Sequence, residues 1–159
     1  MVATKAKTGM TQYMRDKPTK WGLNLFALPD SSNGYTVDFN VYWGKSQTSS
    51  EHGLAYEAVM KLIQPALLGT GYHVYMDNFY TSPKLFMDLH DVKYGACGTY
   101  RENRRGCTKG RENAISKKSD RGTIRWIREG PLIFVKWMDR CLCALPSTQH
   151  NVEKQPAGE

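Results

Sequence analysis

The sequence predicts a mixed α/β fold, and three observations carry that expectation. Segments whose apolar residues alternate every second position are interleaved with stretches of helical period. Between residues 72 and 100 a short apolar strand, a proline-led helix and a second strand follow one another, the order of a crossover unit. Three short strands separated by turn dipeptides then close the pattern as an antiparallel meander. The chain has 159 residues, 40% hydrophobic and 23% charged. That suffices for about one domain with a sizeable core and is not the composition of a disordered protein.

Residues 1–14 show no apolar periodicity and are expected to be an unstructured leader. From Trp21 the pattern changes: Leu23, Leu25 and Ala27 alternate with Asn24 and Phe26, predicting a strand. The run Pro29-Asp30-Ser31-Ser32-Asn33-Gly34 supplies turn chemistry. Tyr35 to Tyr42 reads as a second strand with Tyr35, Val37, Phe39 and Val41 on one face, so the pair is expected to form a hairpin. Residues 44–52 are a polar loop.

Leu54 to Leu68 is expected to be helical, because Ala55, Ala58, Val59, Leu62, Ile63 and Ala66 follow three–four spacing. Pro65 and Gly69 leave its last turn open. Tyr72 to Met76 is a short strand ending at Asp77-Asn78. Ser82-Pro83 is an N-cap followed by proline at the first helical position, which predicts a helix to about His90. A strand over Lys93–Tyr100 follows. Residues 101–122 form a basic loop. Strands at Thr123–Arg128, Leu132–Met138 and Cys141–Pro146 are joined by turns at Gly130-Pro131 and Asp139-Arg140. Residues 151–159 are expected to be a disordered tail.

Net charge is +7, and the excess is concentrated. Between Arg101 and Arg125 stand Arg101, Arg104, Arg105, Lys109, Arg111, Lys117, Lys118, Arg121 and Arg125. Only Glu102, Glu112 and Asp120 oppose them, a net +6. Such a segment can hold a polyanion such as nucleic acid, and the alternative is a solvated loop. No apolar run approaches the ~20 residues of a membrane helix, so no membrane partner is expected. The first residues lack the apolar region of a secretory signal. Cys97, Cys107, Cys141 and Cys143 form neither a disulfide framework nor a zinc knuckle, which points to a reducing compartment.

Asp77 is the candidate for chemistry. It follows the apolar end of a predicted strand, where α/β sheets place ligands, and a carboxylate there suits Mg²⁺ or Mn²⁺. Alternatively it bonds neighbouring amides in an ordinary turn. Tyr72, Tyr75, Phe79 and Tyr80 could stack on bases, although core packing is the favoured reading. Cys141, Cys143 and His150 lack the further ligands a zinc site needs. No phosphate-loop or dinucleotide fingerprint appears.

The run His73-Val74-Tyr75-Met76-Asp77-Asn78-Phe79-Tyr80-Thr81-Ser82-Pro83 closely resembles the second catalytic-aspartate block of piggyBac-type transposases and their domesticated relatives. Asp16-Lys17-Pro18-Thr19-Lys20-Trp21-Gly22 resembles the start of that family's second sheet strand. Cys97-Gly98-Thr99-Tyr100-Arg101-Glu102-Asn103-Arg104-Arg105-Gly106 is similar to its GT-x-R-x-NR-x-G block. Lys136 to Arg140 and Leu145 to His150 resemble the distal meander. The likeness spans residues 12–150. It implies an RNase H-like mixed sheet with flanking helices over 15–150, with the meander at 123–146. It also implies two-metal phosphodiester transfer by three aspartates, with Asp77 as the second, and dimers assembled on DNA in the nucleus.

The departures set the functional expectation. Residues 1–14 contain no acidic residue where the family's first aspartate would stand, and beyond His150 only Glu153 and Glu159 are acidic. The first core strand, a C-terminal helix and two metal ligands are thus expected to be missing. The family's cysteine-rich zinc module has no counterpart, so no zinc is implied. The sequence reads as a truncated, inactive transposase-derived core with nonspecific DNA affinity. The alternatives are an active transposase, if the gene product is longer, and a remnant with no selected function.

Overall fold

In the computed structural model, which describes residues 1–6, 8–44, 51–101, 106–107, 114–116, 118–139 and 142–148, the chain divides into two units, Met1–Gln64 and Pro65–Glu159. The first unit holds β1 (Val2–Ala3), β2 (Gln12–Tyr13), β3 (Trp21–Pro29), β4 (Thr36–Tyr42) and helix α1 (Leu54–Leu62). The long strands β3 and β4 pair antiparallel from Asn24↔Tyr42 to Pro29↔Thr36, as the hairpin reading expects. Asp30 builds the turn: one carboxylate oxygen accepts from the Ser32 amide and hydroxyl, both at 2.8 Å. Gly34 closes it at φ +74°, a conformation L-residues avoid.

One expectation fails in this unit. The leader is not devoid of structure, because Val2 and Ala3 pair with Leu23 and Gly22, while Gln12 and Tyr13 pair with Gly22 and Trp21. Gly22 permits this, since a Cβ there would collide with the Val2 carbonyl. Val37 and Phe39 share a face of β4 as expected, and both, like Tyr35, are exposed. Helix α1 packs on β3 and β4, and Phe26 on β3 is buried, whereas Phe39 and Ala27 lie on the opposite face of the hairpin. The alternation sets which residues share a face, and the helix covers one face only.

Helix α1 buries Ala58, Val59 and Leu62 and ends at Leu62, short of the expected Leu68. Ile63 is already extended, at φ −93° and ψ 98°. Pro65 disfavours helical backbone at Gln64 and lacks the amide that would bond back to the helix. The second unit opens with α2 (Pro65–Leu68), so the predicted single helix is two pieces.

The second unit continues with β5 (His73–Met76), α3 (Pro83–Asp91), β6 (Gly95–Gly98), β7 (Ile124–Glu129), β8 (Leu132–Met138) and β9 (Leu142–Thr148). The sheet order is β5-β6-β9-β8-β7. β5 and β6 are parallel, joined by α3 as the crossover, and β7, β8 and β9 are the antiparallel meander. Helix α3 packs on β6, β8 and β9 through Leu85, Phe86 and Leu89, all at 0% exposure. Ser82 caps it as expected, its hydroxyl accepting from the Leu85 amide at 3.3 Å.

The other end of α3 explains why β6 starts at Gly95 and not at Lys93. The Tyr94 amide turns back to the Leu89 carbonyl and the Lys93 amide to the His90 carbonyl, with Lys93 at φ +67°. This is the paired C-terminal closure usually built on glycine, and it consumes the first two residues of the expected strand. Gly130 at φ +58° and Pro131 make the β7–β8 turn. Among the described residues β5 pairs only with β6, and from Asn24 to Pro29 β3 pairs only with β4. No helix among them is long and apolar enough to cross a membrane.

Candidate functional site

Asp77 stands immediately after the last residue of β5, at the carboxyl end of the parallel pair. One oxygen of its carboxylate accepts from the Phe79 amide at 2.8 Å. Its carbonyl accepts from the Thr81 amide at 3.2 Å and the Thr81 hydroxyl at 2.8 Å. Thr81 is fully buried and leads directly into the Ser82 cap of α3. The strand-to-helix turn that presents Asp77 is therefore bonded at both the side chain and the backbone.

Gly98 completes this support. It pairs with Met76 across the two strands, and a Cβ there would lie 2.5 Å from the Thr81 hydroxyl and 2.6 Å from the Met76 carbonyl. Only glycine lets β6 approach the turn this closely. Sequence reasoning quoted Thr81 and Gly98 inside larger blocks without giving them this role. The available signals were a threonine four residues after an aspartate and a glycine ending a strand.

The Tyr80 phenol is held above its ordinary range first by burial and then by the negative charge of Asp77. Among the described residues no group of three His, Cys, Asp or Glu side chains converges where a metal ion could sit. One carboxylate with an oxygen already bonded to an amide does not by itself fit a two-metal centre.

The basic segment is described in part. Arg101, Lys118, Arg121 and Arg125 are exposed. Arg121 Nε donates to Asp139 at 2.6 Å, so part of its charge is neutralised. Arg104, Arg105, Lys109, Arg111 and Lys117 lie outside the described residues, as do Arg140, Cys141, His150 and the side chain of Cys143. Burial raises the Cys97 thiol above its ordinary range, opposed by a hydrogen bond with Ser147.

The aromatic residues around Asp77 depart from the core-packing expectation. Tyr72, Tyr75 and Phe79 are 59%, 69% and 47% exposed. β5 is an edge strand, and nothing described covers its outward face.

Comparison with known proteins places this geometry. The profile of the family described as Transposase IS4 matches residues 1–157. The human piggyBac transposable element-derived protein 3 is 27% identical over 154 residues, covering 93% of this chain and 26% of that protein. The human chimeric ERCC6-PGBD3 protein is also 27% identical over 154 residues, with 93% of this chain and 14% of that protein covered. The chain thus spans about a quarter or less of these relatives. Among solved structures, a piggyBac transposase synaptic complex with hairpin DNA superposes with a TM-score of 0.80 at 24% identity. It covers 98% of this chain and 32% of that one, and supports the mixed α/β fold. With nearly its whole length matched, the chain belongs to the Transposase IS4 family as a piggyBac-type member.

Proposed function

We propose that this chain is a transposase-derived, nucleus-located DNA-binding domain that holds duplex DNA without sequence preference and does not cleave it alone. Its parallel β5–α3–β6 unit and meander are read as part of an RNase H-like core, with Asp77 as that core's second aspartate. The observation that carries this reading is that, among the described residues, a single carboxylate stands at the end of β5 while several cations of the same unit are exposed. Arg101, Lys118, Arg121 and Arg125 suit phosphates, whereas Asp77 by itself cannot hold two Mg²⁺ or Mn²⁺ ions in line.

Binding to a duplex should weaken steeply with salt, because each neutralised phosphate releases counterions. Replacing Arg101, Lys118, Arg121 and Arg125 with glutamine should flatten the slope of log K against log salt by roughly 3. Unchanged binding in that variant would show that the segment is only a solvated loop. With Mg²⁺ or Mn²⁺ the chain should neither nick nor join a transposon-end duplex, and cleavage that disappears in Asp77→Ala would overturn the inactive reading. The chain's 26% share of its human relative favours a second reading. Within a longer protein, Asp77 would be one ligand of a complete DDD-type centre.

A further inference from the structure

Among the described residues β7 is an open edge of its sheet, and its main-chain phase shows which residues a further strand would meet. Its register with β8 runs from Ile124↔Trp137 to Glu129↔Leu132 without a bulge. The Met138 amide donates to the Thr123 carbonyl at 2.9 Å. In an antiparallel ladder that phase turns the amides and carbonyls of Arg125, Ile127 and Glu129 towards β8. Those of Ile124, Trp126 and Arg128 therefore face outward, where no described strand pairs with them.

The other open edges carry guards that β7 lacks. On β4 the Phe39 amide is already taken by the Asp38 carboxylate, at 2.7 Å. The unpaired side of β3 meets a register shift after Leu28 and ends on Pro29. β5 has four residues and stops at Asp77. β7 has six residues with no proline and no lysine, and on it Trp126 is 65% exposed and Ile124 57%.

Charge along the strand selects a second copy as the partner. Placed antiparallel about a two-fold axis through Ile127, β7 meets itself with Trp126 opposite Arg128 and Arg125 opposite Glu129, each pair occurring twice. On one face the Arg128 cation lies against the Trp126 ring. Arg128 Nε donates to the Gly130 carbonyl at 2.8 Å, an in-plane bond that leaves the flat face of the guanidinium for stacking. On the other face each Arg125 meets a Glu129 carboxylate. Arg125 Nη1 reaches the outward-facing Ile124 carbonyl at 3.3 Å, which puts its guanidinium at the open edge. The two Ile127 side chains meet on the axis as a non-hydrogen-bonded pair, the closest approach such a ladder offers. Main-chain phase agrees, because Trp126 and Arg128 are residues whose amides and carbonyls face outward and can be exchanged. Moving the axis to Trp126 sets Ile124 against Arg128 and Arg125 against Ile127, and moving it to Arg128 sets Ile127 against Glu129. Both shifts lose the two pairings.

From this self-complementarity we infer that β7 is a homodimer interface, at which two copies join their meander sheets edge to edge in register about Ile127. The inference is independent of the DNA-binding reading, since the contact needs no nucleic acid. One pair of six-residue strands is a small interface, so the dimer is weak, with a Kd in the micromolar range.

The test is sedimentation equilibrium of the whole chain, freed of nucleic acid by nuclease, over roughly 1–300 μM. Wild type should dimerise as concentration rises. Arg125→Glu sets carboxylates opposite each other and Glu129→Arg sets guanidiniums opposite each other, so each should weaken self-association roughly 10- to 100-fold. An equimolar mixture of these two variants restores the opposed charges and should form heterodimers. Trp126→Lys disrupts the other face at an exposed position, and should weaken the dimer with an unchanged thermal midpoint. A wild-type chain that stays monomeric throughout overturns the inference. So does a dimer that Arg125→Glu and Trp126→Lys leave untouched, or a mixture of the two charge variants that stays monomeric while wild type dimerises. Failure of duplex binding with the dimer intact would count against the function proposed above and not against this interface.

Discussion

Replacing Gly98 with alanine tests whether the Asp77 turn is held by close approach of β6. The new methyl would sit 2.5 Å from the Thr81 hydroxyl and 2.6 Å from the Met76 carbonyl. The Met76 oxygen belongs to the β5 backbone, which pairs with β6 over its four residues, so it cannot retreat without opening the sheet. The Thr81 hydroxyl can retreat only by leaving the Asp77 carbonyl, which it reaches at 2.8 Å. Overpacking of this kind costs about 1–3 kcal/mol. Losing the buried hydrogen bond adds about 0.5–1.5 kcal/mol. The sum, roughly 2–4 kcal/mol, corresponds to a thermal midpoint lowered by roughly 5–15 °C in a domain of this size. Circular dichroism melts of Gly98→Ala and of Gly9→Ala make the comparison, because nothing lies within 4 Å of a Cβ at Gly9. Adding Thr81→Ala to Gly98→Ala removes one of the two colliding atoms, so the pair should cost less than the sum of the single changes. A Gly98→Ala midpoint matching that of Gly9→Ala would refute the reasoning.

Two further predictions concern stability. Lys93 occupies a left-handed conformation at φ +67° in the closure of α3, so Lys93→Gly should stabilise the fold by about 1 kcal/mol; urea denaturation showing a loss would refute that account. Burial raises the proton affinity of Tyr80, Tyr94 and Cys97 in the folded chain, so the unfolded chain releases these protons first as pH rises. Their contribution is complete below about pH 9, near the ordinary thiol value of 9.0, and is lost as pH climbs through the folded values. Urea midpoints should therefore fall from about pH 9 upward, and a flat profile to pH 11 would contradict the assignment.

Most of the longer elements were legible in the sequence because their signals are local, whereas the two-residue strands β1 and β2 were not. Ser82-Pro83 set the start of α3, Gly130-Pro131 the tip of the meander, and Asp30 to Gly34 the β3–β4 turn. The ordered blocks around Asp77, Gly98 and Lys136 resemble the family whose model matches residues 1–157. Tertiary structure alone decided which apolar faces are covered. Alternation puts Val37 and Phe39 on one side of β4, yet burial depends on a second layer, and α1 takes the other side. Likewise Tyr72 and Tyr75 read as core by period, and the edge position of β5 among the described residues left them in water. Lys93 read as strand because its neighbours alternate, while the closure of α3 claimed its backbone. The role of Gly98 was hidden for the same reason: its neighbours Thr81 and Met76 are distant in sequence, and contact between distant residues exists only once the chain has folded.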